Sequence, residues 1–252
     1  MSSLFLRDDL AAVPHAVGDE VELTGDEARH AATVNRMRVG ESTSLGDGRG
    51  LVVSGTVTSV EPKRVVIAVD GVRRTDPPAV RLTLVQALAK GDRDELAIQA
   101  ATELGADAVV PWQAERSVSR WSGPKVAKGE ERWRSIVREA AKQAIRPWVP
   151  EVGSLASTAD LVGLATRSRM LVLEPSASAR LSEWPREEDR ADGEDLRDVV
   201  LVVGPEGGLS PVELDRLQQA GATPVRLGPE VLRTSTAGPA AIAALAVALG
   251  RW

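Results

Sequence analysis

Residues 201–214, Leu-Val-Val-Gly-Pro-Glu-Gly-Gly-Leu-Ser-Pro-Val-Glu-Leu, and residues 226–237, Arg-Leu-Gly-Pro-Glu-Val-Leu-Arg-Thr-Ser-Thr-Ala, decide how this chain is read. In the first, an apolar run (199–203) empties into a glycine turn at 204–208. Ser210, Pro211 and Glu213 then match an N-cap, a first helical position and a capping-box acid. A strand that ends in a glycine turn at the head of a helix is where α/β sheets bind ligands. GxGxxG is absent, no Gly-Lys-Ser/Thr follows, and Glu206 in the turn argues against a phosphate ligand. The second stretch repeats the arrangement after the strand-like residues 223–227 and adds an arginine and three hydroxyl residues, more than a connection requires. Two such loops at neighbouring strand ends could enclose a small ligand largely through backbone groups.

Working outward, residues 80–88 and 106–112 are buried-strand patterns, and 170–175 is a third. Helices are expected between them. One begins at Asp92, whose spacing to Glu95 makes a capping box, with Leu96, Ala100 and Leu104 on one face and Gly105 at its end. Another runs from Glu130 to Arg146, with Trp133, Ile136, Val137, Ala140 and Ala144 on its apolar side and Pro147 ending it. Alternating strands and helices imply an α/β domain with a mostly parallel sheet, here over residues 80–252. Residues 1–72 differ: short β-branched runs separated by Gly, Asp and Pro form a small β-rich module, with one helix after Thr24 and Glu27, a further capping-box pair. Residues 73–79 have the composition of a linker.

The chain has 252 residues, no cysteine, no tyrosine and two histidines, which excludes disulfides, thiolate nucleophiles and histidine-rich zinc sites. No metal is called for. No apolar run is long enough to span a bilayer, and the first residues do not resemble a signal peptide, so a cytoplasmic location is expected. The net charge of −5 conceals polarity. Residues 183–198 carry eight acids and three bases, whereas residues 112–146 carry nine bases and four acids. Within the basic segment Arg134, Arg138, Lys142 and Arg146 recur every four residues, the spacing of a stripe along a helix.

The two loop sequences resemble the paired signatures of the SPOUT methyltransferases, specifically the RsmE-type 16S rRNA uridine-N3 enzymes. Residues 30–41 and 45–48 are similar to that family's PUA-like β-barrel domain, and residues 86–117 to the start of its catalytic domain. The resemblance implies a deep trefoil knot in the C-terminal half, a homodimer, and S-adenosyl-L-methionine as cofactor. Its pocket would be made by three loops: Leu173 and Glu174; Gly204, Pro205, Glu206, Gly207 and Gly208; and Leu227, Gly228, Val231, Leu232, Thr234 and Thr236. The partner would be 16S rRNA within the small ribosomal subunit, contacted by Lys90, Arg93, Arg116 and the stripe Arg134, Arg138, Lys142 and Arg146, with His30, Arg36 and Arg38 from the N-terminal module. Two positions depart from the family pattern. Ser235 stands where the family has Glu, and Ile145 where it commonly has Gly before the arginine matching Arg146.

Methylating uracil N3 requires its proton to be displaced, so the protein must position the reactants and stabilise an anion. Arg233 is the expected stabiliser, with holding the cofactor carboxylate as its alternative role. Glu206 and Glu230 are the loop carboxylates available as a base. The alternatives are 2′-O-ribose methylation of tRNA, a non-catalytic RNA-binding module and, more distantly, a dehydrogenase, whose fingerprint is lacking.

Overall fold

The computed structural model describes residues 3–184 and 198–252. Most of the acidic stretch therefore lies outside the described residues. The chain forms two units: Met1–Pro77 with Ala141–Val149, and Pro78–Ala140 with Pro150–Trp252.

The first unit contains β1 (Leu4–Leu6), β2 (Glu20–Thr24), α1 (Gly25–Arg29), β3 (Ser42–Gly46), β4 (Leu51–Glu61) and β5 (Arg64–Arg74). Its sheet has the order β1-β3-β4-β5-β2, with β1 parallel to β3 and the other pairs antiparallel. Phe5, Leu45, Val53, Val57 and Ile67 fill the core beneath it. Among the described residues no ladder joins β1 to β2, so the expected barrel is observed as a five-stranded sheet. β5 continues to Arg74, into the segment expected to be linker.

Residues 141–149 complete this unit although the sequence places them with the second. Gly50 donates to the Pro147 carbonyl at 2.9 Å and Val149 to that of Gly48 at 3.0 Å. The Trp148 indole donates to the Thr75 carbonyl at 2.9 Å. Gly50 has φ +101, and a Cβ there would lie 2.4 Å from the Thr75 carbonyl oxygen and 2.9 Å from the Trp148 ring. Glycine is required at that position on both counts.

The second unit runs β6 (Leu82–Ala87), α2 (Arg93–Glu103), β7 (Ala108–Trp112), α3 (Pro124–Gln143, its last turn in the first unit), β8 (Glu151–Val152), α4 (Thr158–Ala165), β9 (Arg169–Leu173), β10 (Val199–Val203), α5 (Pro211–Gln219), β11 (Thr223–Val225) and α6 (Thr234–Ala248). The sheet is parallel throughout, in the order β11-β9-β10-β6-β7-β8. All five residues of β10 are buried, as a strand covered on both faces requires. α4 and α5 cover one face, where Leu161, Leu217, Met170 and Val202 share a core. α2 and α6 pack together over the other. There Gly238 brings α6 close to the sheet, since a Cβ would lie 3.2 Å from Leu84.

Several local expectations are corrected. Ser210 caps α5 as read, with the reciprocal bond from Glu213. Thr24 makes no side-chain cap bond. Glu27 is drawn instead to the Lys142 ammonium at 2.9 Å. Asp92 sits at φ 59 and also makes no cap bond, while Glu95 pairs with Arg132 at 2.9 Å. The buried face of α2 is Ala97, Ile98 and Ala101, not the one containing Leu96, which is 57% exposed. α3 starts earlier than Glu130 and ends at Gln143. Pro147 does not terminate it. The Ile145 amide bonds to the Lys142 carbonyl at 3.1 Å and that of Arg146 to Ala141 at 2.9 Å, with Ile145 at φ 52. This is a Schellman stop with a β-branched residue where glycine is favoured. No helix among the described residues is long and apolar enough to cross a membrane.

Candidate active site

β9, β10 and β11 are neighbours and parallel, so the loops leaving their carboxyl ends converge. Between them lies a cavity of about 510 Å³, within the range typical of small-molecule sites. From the first loop Leu173 and Glu174 line it; from the second, Gly204, Pro205, Glu206 and Gly208; from the third, Leu227, Gly228, Val231, Leu232 and Thr234. Arg233 and Glu230 line it too. Gly207 and Thr236 do not: a Cβ on Gly207 would instead meet Arg116 at 3.3 Å. Sequence reasoning missed Arg226 on the wall and assigned Arg93 to RNA, whereas it also lines the cavity. Arg226 was visible in the quoted stretch but read as the end of a strand.

The glycine loop is held from several sides. Glu206 Oε1 accepts from the Lys90 amide at 3.1 Å and from Arg93 Nη1 at 3.0 Å. Partial burial pushes the Glu206 carboxyl up, but hydrogen bonds from its own and the Lys90 backbone, with Arg93, outweigh this and hold it below the usual carboxylate range. Arg116 Nη1 donates to the carbonyls of Gly207 at 3.2 Å and Leu209 at 3.1 Å. From within, the buried Gln86 donates to Thr234 Oγ1 at 2.8 Å, and that hydroxyl donates to the Gly204 carbonyl at 2.9 Å. The Gly208 amide closes the turn on Pro205 at 2.9 Å, with Gly208 at φ +67. Behind the loop, buried Glu213 accepts from the Glu115 amide at 2.8 Å and the Thr158 hydroxyl at 2.9 Å, tying the starts of α4 and α5 to the segment after β7.

The third loop is held less. Arg233 is the exposed N-cap residue of α6. Glu230 is exposed, its carboxylate folded toward Gly228 such that a Cβ there would lie 3.5 Å from Oε2. Among the described residues no hydrogen bond or ion pair engages the side chains of Arg226, Glu230 or Arg233.

The residues expected to meet RNA separate into groups. Lys90, Arg36 and Arg38 are exposed, and Arg36 adopts φ 50 just after the π-helical turn His30–Val34. His30 is half-buried, edge-on to Phe5 with ring centroids 6.3 Å apart. Arg93 and Arg116 brace the glycine loop. The four-residue stripe does not persist. Arg134 is ion-paired with Glu130 at 3.2 Å and Glu131 at 3.1 Å, Arg138 is half-buried, and Arg146 lies beyond the end of α3. Lys142 is only 5% exposed and paired with Glu27, so it is withdrawn as an RNA contact. Among the described residues no group of three or more His, Asp and Glu is placed to hold a metal ion.

The chain, a parallel α/β unit with a loop-walled cavity at its strand ends and a separate β unit, matches two family models. Residues 76–246 match the RNA methyltransferase domain and residues 23–70 the RNA methyltransferase PUA domain. The fold and site thus define an RNA methyltransferase. Ribosomal RNA small subunit methyltransferase E of Mycobacterium bovis is 45% identical over 90% of this chain and 86% of that protein, and the Bacillus subtilis protein of the same name is 33% identical over 88% of each. The crystal structure of a ribosomal RNA small subunit methyltransferase E from Neisseria gonorrhoeae, bound to S-adenosyl methionine, has a TM-score of 0.81 at 29% identity, covering 98% of this chain and 97% of that one. The chain belongs to the ribosomal RNA small subunit methyltransferase E family.

Proposed function

We propose that the protein transfers a methyl group from S-adenosyl-L-methionine to N3 of a uridine in 16S rRNA. The observation that carries this reading is the cavity at the carboxyl ends of β9, β10 and β11, walled by the two glycine-bearing loops. The residues present fit the cofactor. Leu173, Leu227, Val231 and Leu232 offer apolar surface for a flat base, and the loop backbones at 204–208 and 227–228 offer polar groups without bulky side chains. A Cβ at Gly204 would lie 2.7 Å from Leu209 Cδ1, so a larger residue there would have to displace the Leu209 side chain. When bound, the cofactor supplies a methyl group already activated on a sulfonium.

The chain's own residues do the remainder. Glu206, committed to Arg93 and the Lys90 amide, frames the cavity and is a poor proton acceptor. Glu230 is the loop carboxylate left to receive the N3 proton, directly or through water. Arg233, exposed at the cavity rim, stabilises the uracil anion. Lys90, Arg36 and Arg38 serve RNA phosphates. The C-terminal loops would be threaded as a deep trefoil knot; pulling the termini in an optical trap should then leave a shortened, knotted contour. The active form would be a homodimer, which light scattering at one chain's mass would overturn. Work on ribosomal RNA would place the protein in the cytoplasm, where fractionation should find it.

The deciding experiment incubates the protein with labelled S-adenosyl-L-methionine and 16S rRNA, free or in the small subunit, and maps the product by mass spectrometry. A 3-methyluridine supports the proposal. A ribose methylation, or transfer to tRNA alone, would replace it with the alternative reaction, and binding of RNA without transfer would reduce the protein to a binding module.

A further inference from the structure

Three arginines line the cavity: Arg93, Arg226 and Arg233. Arg93 is spent on Glu206 at 3.0 Å. That leaves two guanidiniums that, among the described residues, have no partner. They differ in setting. Arg233 is exposed at the start of α6, whereas Arg226 is half-buried at the end of β11. Its backbone is fixed on both sides, donating to the Ala179 carbonyl at 3.0 Å and accepting from the Leu181 amide at 2.9 Å. These bonds fix where the side chain starts on the cavity wall. Glu174, which also lines the cavity, makes no ion pair with it among the described residues; Glu174 Oε1 accepts from the Ser176 hydroxyl at 2.7 Å and amide at 3.1 Å. A half-buried arginine on a cavity wall with no ion-pair partner among the described residues is suited to an oxyanion brought in by a ligand.

The reaction offers two oxyanion sources, the carboxylate at the amino-acid end of the cofactor and a phosphate of the arriving RNA. We propose that Arg226 is the subsite for the cofactor carboxylate, leaving Arg233 to the nucleotide. The assignment rests on the cofactor reading above and follows from burial: a group on the inner wall meets the small molecule, and a group at the rim meets what arrives from solvent. Arg226 is then a binding determinant that recognises the amino-acid part of the ligand, distinct from the loops that hold the nucleoside.

Calorimetry on the full chain without RNA tests this with three probes: S-adenosylhomocysteine, 5′-methylthioadenosine, which lacks the amino-acid end, and decarboxylated S-adenosylmethionine, which lacks only the carboxylate. Arg226→Ala should weaken S-adenosylhomocysteine roughly ten-fold, the scale of one charge-assisted hydrogen bond at a half-buried site. It should leave the other two probes unchanged, and Arg226→Lys should recover part of the loss. Unchanged 5′-methylthioadenosine affinity also shows that the variant is folded. Wild-type affinity for S-adenosylhomocysteine in Arg226→Ala would overturn the assignment alone, as would an equal loss for all three probes, which marks a structural role. Weaker RNA binding with a shallower salt dependence and intact small-molecule affinities would move Arg226 to the phosphate source and overturn it too. Failure of the wild-type protein to bind any probe would overturn the cofactor reading and this subsite with it.

Discussion

The two glycine-bearing loops of the cavity look alike in sequence and behave differently in structure. The loop at 204–208 is gripped by Arg93, Arg116, the Lys90 amide and Thr234, so its own carboxylate is used up holding its shape. The loop at 226–233 carries three charged side chains on the same cavity wall, none of them engaged among the described residues. One loop is held as a frame; the other, in the function proposed above, is the reactive surface. An active site needs both, because a charged group aimed at a transition state is effective only when the surface it faces does not yield.

The sharpest way to break this contrast is to remove a charge from the reactive loop. Arg233→Ala should slow methyl transfer by about 10²-fold or more, the usual scale for losing one anion-stabilising donor. RNA and S-adenosylhomocysteine affinities should stay within about two-fold. Single-turnover assays at saturating cofactor read the first quantity, and full activity would move the anion-stabilising role elsewhere.

A smaller effect is expected from the frame. Glu206→Gln keeps the size of the side chain but removes the charge that holds Arg93, and should weaken cofactor binding by roughly three- to ten-fold, the scale of a partly exposed charged hydrogen bond. Its pH behaviour provides a second reading. The carboxyl is held below its ordinary value in the folded loop, so its stabilising contribution is present above that ordinary value and is lost as pH falls through the lowered one. Cofactor affinity in the wild type should therefore decline on the acid side, and Glu206→Gln should flatten that decline. Identical acid limbs in the two proteins would show that the latch does not govern the loop.

The smallest effect lies outside both loops and sets the baseline for them. Ile145 holds a left-handed φ of 52 at the end of α3 and is 44% exposed. Ile145→Gly should relieve the strain at the cost of a more flexible unfolded chain, a net gain of about 1 kcal/mol or less. Thermal unfolding should rise by about 2 °C, with catalysis unchanged. A lowered melting temperature would mean that the isoleucine side chain contributes more by packing than its backbone loses.

What could be read from the sequence was local. Five of the second unit's strands were legible because Val and Leu runs are followed by glycine or proline, and the α5 start because Ser210 and Glu213 satisfy each other; the two-residue β8 and the helix α4 were not read. The same spacing misled at Thr24 and Asp92. There the acid three residues on was captured from a distance: Glu27 by Lys142, 115 positions away, and Glu95 by Arg132, 37 positions away. A capping box is a contest between partners, and sequence shows one contestant. The basic stripe failed for a related reason. Four-residue spacing fixes where side chains leave a helix, but not that Lys142 would be buried or that the helix would stop at Gln143. Of the site, the two glycine loops were legible because glycine and proline punctuate them, whereas most wall residues were named only through the family resemblance. Arg226 was not, since nothing in a strand-end arginine says which wall it will join.

The segment 141–149 has a consequence for how the molecule is made. A chain emerges from the ribosome in order, and domains generally fold as units while it does so. The N-terminal unit is a unit in space but not along the chain. When residue 77 has been added, Trp148, which covers Gly50 and bonds to Thr75, has not yet been synthesised, nor has Lys142, the counter-ion of Glu27. The nascent sheet must wait, with that flank uncovered and one carboxylate unmatched, until α3 has been translated to its end. The first part of this protein to be born is thus completed only after more than half the chain exists.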